Sequence, residues 1–347
     1  MIFLLGILST FCVQLIFSLS CLDENNANIG WVIGYKLPDS FNYNYFDSKN
    51  PSWTASENMI NNGGTLKNIM EAGFKTNRRN NTMFSMYNDE KSGEKYSLKY
   101  GHMKGLLAFD KTENSGFWLI HSIPKLSDDP FSYRYPASGR IYGQHFLCIT
   151  LDYQHLGEIV NLLKYSRPYV QSSWLSDEIL KEFPDMADIN ANNRFDMKET
   201  FDVAKLSTLG NEPIEVFSFS KSKSFEKDIY EDLVAKSFNI SLKVETWQHG
   251  ERVLPSDCHE KYNVLNVAEV SFESYKISDT FRNEQDHSKW AVSFNQDDQK
   301  IKDIVCLGDI NRMPSQFHRG GGTACLVKEG IWENFKDLVR KSVPCKD

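Results

Sequence analysis

No Cys-x-x-Cys pair occurs in this chain, and its seven cysteines and eight histidines are nowhere clustered, so the sequence offers no zinc-type donor set. Beyond residue 20 no apolar run approaches the ~20 residues that a membrane helix needs. There is no repeat of the kind that builds solenoids, and no low-complexity tract. A basic surplus is missing too. With 39 Lys and Arg against 46 Asp and Glu, the formal charge is −7 at pH 7, which argues against a bulk electrostatic grip on polyanions at neutral pH. Charge is absent altogether from the first twenty residues, where Ile2 to Phe17 is almost wholly apolar and Ser18 and Ser20 precede Cys21. That pattern predicts a cleaved secretory leader over residues 1–20 and no membrane anchor.

What remains is ample for a core: 41% hydrophobic and 13% aromatic residues in a chain long enough for one large domain or two ordinary ones. Cys12 leaves with the leader, and the even set that stays (Cys21, Cys148, Cys258, Cys306, Cys325, Cys345) suggests disulfides, with 15 connectivities open. Asn80 and Asn239 head acceptor sequons for glycosylation, whereas Asn50 is excluded by Pro51.

Short strands separated by amphipathic helices predict an α/β fold. Strands are expected at Trp31 to Leu37, Gly105 to Asp110, Phe117 to Ile123 and Phe146 to Leu151, and again at Val216 to Phe219, Leu242 to Trp247, Val264 to Val270, Trp290 to Phe294, Val305 to Ile310 and Ala324 to Val327. Helical spacing marks Leu156 to Leu163, Phe225 to Phe238, and Ile331 to Val339. The Asn-rich stretch Asp185 to Lys198 reads as a surface loop.

One pattern occurs twice. His102-Met103-Lys104 and His287-Ser288-Lys289 each place an imidazole two residues before a cation, on one face if the segment is extended. Alone, such a triplet is common and belongs on a solvated strand. Two facing pairs would suit a phosphodiester: one histidine attacking phosphorus, the other protonating the leaving oxygen, and the lysines holding the charge that builds up.

The blocks around the two pairs are more specific. His102 to Leu107, Gly116 to Pro124, Tyr142 to Cys148, Asp286 to Trp290, Cys306 to Arg312 and Arg319 to Thr323, in this order, resemble the deoxyribonuclease II family over about Cys21 to Cys345. The resemblance implies a phospholipase D-like, pseudo-twofold pair of mixed sheets flanked by helices and held by disulfides. Its halves would be 21–165 and 166–347, forming one compact catalytic unit. It implies catalysis by His102, Lys104, His287 and Lys289, through a phosphohistidine and without metal or other cofactor, giving 3′-phosphate and 5′-hydroxyl ends. It further implies Cys21–Cys148, Cys258–Cys345 and Cys306–Cys325 pairing, and DNA bound without sequence preference in a lysosomal or extracellular setting. Met103 departs from the commoner family pattern and should point away from the site.

His121 is expected near the phosphate, as donor or orienter, and Asn311 as a substrate-binding donor sharing a strand face with Asp309. His145, His155, His249, His259 and His318 read as ordinary surface or core histidines. Protonating all eight histidines would raise the charge of −7 by eight units to +1, so DNA binding should improve in acid. The rival reading is a secreted homologue with weak or no catalysis, acting as a DNA-binding or host-interaction protein.

Overall fold

The structure, a computed structural model, describes residues 19–89, 97–127, 129, 132–249, 253–294 and 302–345. All but Leu19 and Ser20 of the predicted leader therefore lies outside the described residues. The strands of the first half are β1 (Cys21–Leu22), β2 (Asn28–Ile29), β3 (Trp31–Lys36), β4 (Tyr43–Asp47), β5 (Thr54–Ala55), β6 (Thr82–Asn88), β7 (Lys104–Asp110), β8 (Ser115–His121), β9 (Gln144–Asp152) and β10 (Val170–Leu175). The second half adds β11 (Phe201–Ser207), β12 (Glu215–Lys221), β13 (Ser241–Thr246), β14 (Val264–Ser271), β15 (Thr280–Arg282), β16 (Lys289–Phe294), β17 (Ile304–Gly308), β18 (Gly321–Val327) and β19 (Val339–Ser342).

Two large sheets result. The first runs β10-β6-β7-β8-β9-β3-β4-β5, and the second runs β11-β12-β18-β17-β16-β13-β14-β15 with β19 on β14. Their centres share one topology: β6-β7-β8-β9-β3 has the same order and connectivity as β13-β16-β17-β18-β12. In both, a helix precedes the strand at one end and another follows the last strand of the meander. Thr65–Phe74 and Leu156–Ser166 do this in the first half; the helical segment from Tyr230 to Phe238 and Glu329–Lys336 do it in the second.

Alternation distributes the side chains of these strands between two cores. On β8, Trp118 and Ile120 enter the central core between the sheets, while Phe117 and Leu119 face the outer layer under Leu66, Ile69 and Met70. On the second sheet, Trp290 and Val292 face the centre, and Ala291 packs outward with Leu233 and Val234. Because both faces are covered, these strands read as near-continuous apolar runs, which made them legible in the sequence. Disulfides join Cys21 to Cys148, Cys258 to Cys345, and Cys306 to Cys325. The last two residues face each other on neighbouring β17 and β18.

Three expectations are corrected. Asp185–Asn190 is a helix rather than loop, because Met186 and Ile189 are buried beneath its polar surface. The last helix ends at Lys336, and Val339 belongs to β19, which pairs with β14. β17 ends at Gly308, so Asp309 and Asn311 lie beyond the strand and share no strand face.

Candidate active site

Lys104 is the first residue of β7 and Lys289 the first of β16, topologically equivalent strands of the two sheets. Each histidine sits just before its strand, in the segment that crosses to the opposite sheet. The crossing is reciprocal. The His102 amide donates to the Gly320 carbonyl at 2.8 Å, ahead of β18, and the His287 amide donates to the Gly143 carbonyl at 2.9 Å, ahead of β9. Glycine is required at both acceptors. A Cβ at Gly143 would lie 2.4 Å from Asp286 Oδ1, and one at Gly320 would lie 2.2 Å from the Ser166 carbonyl.

The same exchange continues at the lysines. The Lys104 amide donates to Asp309 Oδ1 at 3.3 Å, and the Lys289 amide to His145 Nδ1 at 3.1 Å. Both lysine side chains are buried, as are His121 and His145. His102 Nδ1 is bonded to the Asp309 carbonyl, so it carries the ring proton of the neutral imidazole and leaves the lone pair on Nε2. His287 is stacked on Tyr142, ring centres 4.1 Å apart and 9° from parallel, and Trp247 lies tilted against it at 4.1 Å; its Nε2 has no partner among the described residues.

Charge around the first pair converges on Asp89. Its carboxylate pairs with Lys104, with Arg319 at 3.2 Å, and lies 3.7 Å from His102 Nε2. Burial would raise this carboxyl, but Lys104, His102 and Arg319 hold it below the usual carboxylate range. The second pair has a different underlay. Asp286 bonds Tyr35, Ser288 Oγ and the Ser288 amide, and Trp290 Nε1 donates to the Tyr35 hydroxyl at 3.1 Å. Burial raises Asp286, and burial with Asp286 beside it raises Glu245 well above its usual range.

Each pair also feels the other. Burial lowers His102 and His287, and each is lowered further by both Lys104 and Lys289. Burial and then Lys104 bring Lys289 down to about 7. Burial raises Asp309 to about 8 despite the neighbouring Lys104. His121 is lowered to about 3 by burial first, and its Nδ1 accepts from the Ile123 amide. These shifts change what acid does to the net charge. Four of the eight histidines, two buried and two half-buried, sit where the cation is disfavoured, so protonation of histidines alone does not take the free protein to +1.

His145 is the main site residue that its sequence pattern did not single out. It is buried, shares the field of Lys289, Lys104 and His121, and its Nε2, the protonated nitrogen of the neutral ring, has no partner among the described residues. Its signal was its place in the Tyr142 to Cys148 block. Arg319 was within a block too, whereas nothing in the sequence singled out Asp89. Met103 is buried in the central core. Asn311 is buried two residues past Asp309 with Oδ1 unpartnered among the described residues, and it makes no described contact with either pair. Among the described residues no three His, Cys, Asp or Glu side chains are gathered as a metal-binding group.

A model of the deoxyribonuclease II family matches residues 20–345. Human deoxyribonuclease-2-beta is 34% identical over 346 residues, covering 95% of this chain and 92% of that protein. Plancitoxin-1 of Acanthaster planci is 33% identical over 343 residues, 94% and 93% of the two chains, and cell death-related nuclease 6 of Caenorhabditis elegans is 32% identical over 346 residues, 94% and 89%. Two equivalent strands that each deliver a His-x-Lys pair, and a match that spans nearly the whole chain, place this protein in the deoxyribonuclease II family.

Proposed function

We propose that the protein is an acid endodeoxyribonuclease that hydrolyses DNA through a phosphohistidine, without a metal, to 3′-phosphate and 5′-hydroxyl ends. The observation that carries this reading is the reciprocal docking of His102-Lys104 and His287-Lys289 across the two sheets. His102, with its Nδ1 proton committed to Asp309, offers the Nε2 lone pair to phosphorus. His287 protonates the departing 5′ oxygen, then takes a proton from the water that cleaves the phosphorus–nitrogen bond. Lys104, Lys289 and the His145 Nε2–H supply positive field to the non-bridging oxygens, which is the part a metal plays elsewhere. A bound phosphodiester anion shifts His287 toward the cation, the form that donates a proton to the leaving oxygen.

DNA is the substrate class in this reading, bound through phosphate rather than base edges. Passage through the secretory pathway to lysosomes or the exterior fits the disulfides and the exposed sequon residues Asn80 and Asn239, which we propose carry glycans. The test is plasmid cleavage in excess chelator at acid pH, with end-group analysis and acid-quench trapping of a phosphoryl adduct. Cleavage with 3′-phosphate ends and an adduct on His102 is expected, and is lost in His102→Ala and His287→Ala. A folded wild-type protein that binds DNA but cleaves none would replace this reading with that of a non-catalytic homologue.

A further inference from the structure

Behind the first catalytic pair lies a groove of about 160 Å³ whose inner end is made by Gly101, Arg319 and Gly320. These residues adjoin the centre directly: Gly101 precedes His102, Gly320 accepts the His102 amide, and Arg319 pairs with Asp89. The outer walls come from four stretches of the chain, and they bring Lys99, Arg167, Arg194, Lys198 and Lys223 to one place. Lys164 is there as well but is matched by Asp185 at 2.9 Å. Lys99, Arg194, Lys198 and Lys223 are exposed, and none forms an ion pair with a described carboxylate. Asp196 and Glu199 are the acidic lining residues.

A cationic excess of this size is out of keeping with a chain of net charge −7. Unpaired like charges in one groove repel one another, and the arrangement is stable only because each head remains solvated; a polyanion is the ligand that reverses the sign of that interaction. The aromatic content points the same way. Tyr100, on the groove wall, has the Lys99 ammonium 5.3 Å and the Arg167 guanidinium 5.2 Å from its ring centre, with Tyr169 against it at 4.8 Å. Cations beside an aromatic platform form the usual surface for a nucleic-acid strand with splayed bases.

We propose that this groove is the track of the DNA strand flanking the scissile phosphate: Lys99, Arg194, Lys198 and Lys223 hold successive phosphates, and Tyr100 offers a stacking surface beside His102. The proposal rests on the nuclease reading above for its substrate. It adds that affinity for long DNA, as distinct from chemistry at phosphorus, resides on this side of the site.

The experiment uses the intact chain carrying His287→Ala to prevent cleavage, and fluorescence anisotropy with a labelled single-stranded DNA oligonucleotide between about 50 and 200 mM salt. The groove variant is Arg194→Ala/Lys198→Ala/Lys223→Ala. A charge-matched control carries Lys75→Ala/Lys261→Ala/Lys276→Ala, three exposed cations outside the groove. The groove variant should bind at least about tenfold more weakly, with a log affinity against log salt slope shallower by about two, since each phosphate no longer neutralised on a single strand is worth about 0.7. The control should change far less. In the background with both histidines intact, the groove variant should hydrolyse a small phosphodiester such as bis(p-nitrophenyl) phosphate at the wild-type rate. Equal losses of DNA affinity in groove and control variants would overturn the proposal, and so would a collapse of small-ester hydrolysis in a groove variant that keeps its melting temperature. If the parent chain cleaves neither DNA nor ester, the nuclease reading fails, while the anisotropy comparison still decides the groove.

Discussion

Lys289 gives the sharpest quantitative prediction, because its charge is marginal. Burial strips water from its ammonium, Lys104 repels it, and the compensating Asp286, Asp89 and Asp309 leave it at about 7 instead of 10.5. A lysine at that value is almost fully charged near pH 5 and about one-tenth charged near pH 8. In the proposed mechanism the charged form holds a phosphate oxygen, so kcat/KM should fall about tenfold per pH unit above 7, an acid preference that does not require the free histidines to be cationic. A bound phosphate stabilises the ammonium, so the limb in kcat should lie at higher pH than the limb in kcat/KM. The assay is initial-rate cleavage of an oligonucleotide from about pH 4 to 9, for wild type and Lys289→Arg, whose guanidinium stays charged throughout. The arginine variant should lose the limb near 7. If it is too poor a catalyst to measure, inhibition of DNA binding by sulfate, whose own charge is constant across this range, reports the same titration in His287→Ala. An unchanged alkaline limb in an active Lys289→Arg enzyme, or sulfate binding independent of pH through 7, would refute the assignment.

Other expectations follow from the same geometry. Asp89→Asn leaves Lys104 buried without its counter-charge and removes one partner of Arg319, which should destabilise the fold by about 3–5 kcal/mol in urea melts and abolish cleavage. Asp309 is raised from 3.8 to about 8, so the folded state holds its proton more tightly than the unfolded chain does. Its contribution to stability is complete below about pH 4 and is lost as pH rises through 8; thermal melts of Asp309→Asn should show a flatter pH dependence over that window. Among the disulfides, loop entropy predicts that removing Cys21–Cys148, which spans 127 residues, costs about 5 kcal/mol, against about 3 for Cys306–Cys325, which spans 19. Chemical denaturation of Cys→Ser pairs measures the difference.

How far the sequence could be read depended on the kind of signal each residue gave. Strands covered on both faces announce themselves as apolar runs, and β3, β8, β9, β16 and β18 were found on that basis. β6, Thr82–Asn88, is just as buried but mixes Thr, Ser and Asn with its apolar residues, so its pattern was silent until β7 and β10 were seen to flank it. The helix at Asp185–Asn190 was hidden for a similar reason, since only Met186 and Ile189 of its six residues are buried. Resemblance supplied the function class, and the duplication of His-x-Lys supplied the expectation of two facing pairs.

The sequence by itself determined the chemical inventory: two imidazole–ammonium pairs, an α/β alternation, and blocks similar to one family. Those properties are local, set by residue type and spacing along the chain. Tertiary structure alone decided which groups share a field. Asp89 meets Arg319 across 230 positions, Lys289 meets His145 across 144, and the pairs dock on Gly320 and Gly143 of opposite sheets. Electrostatic coupling depends on distance through the fold and on exclusion of water, neither of which is written in sequence separation. It was therefore the fold, bringing two equivalent strands together at a buried interface, that lowered the histidines, left Lys289 near 7, and set His145 against the Lys289 amide.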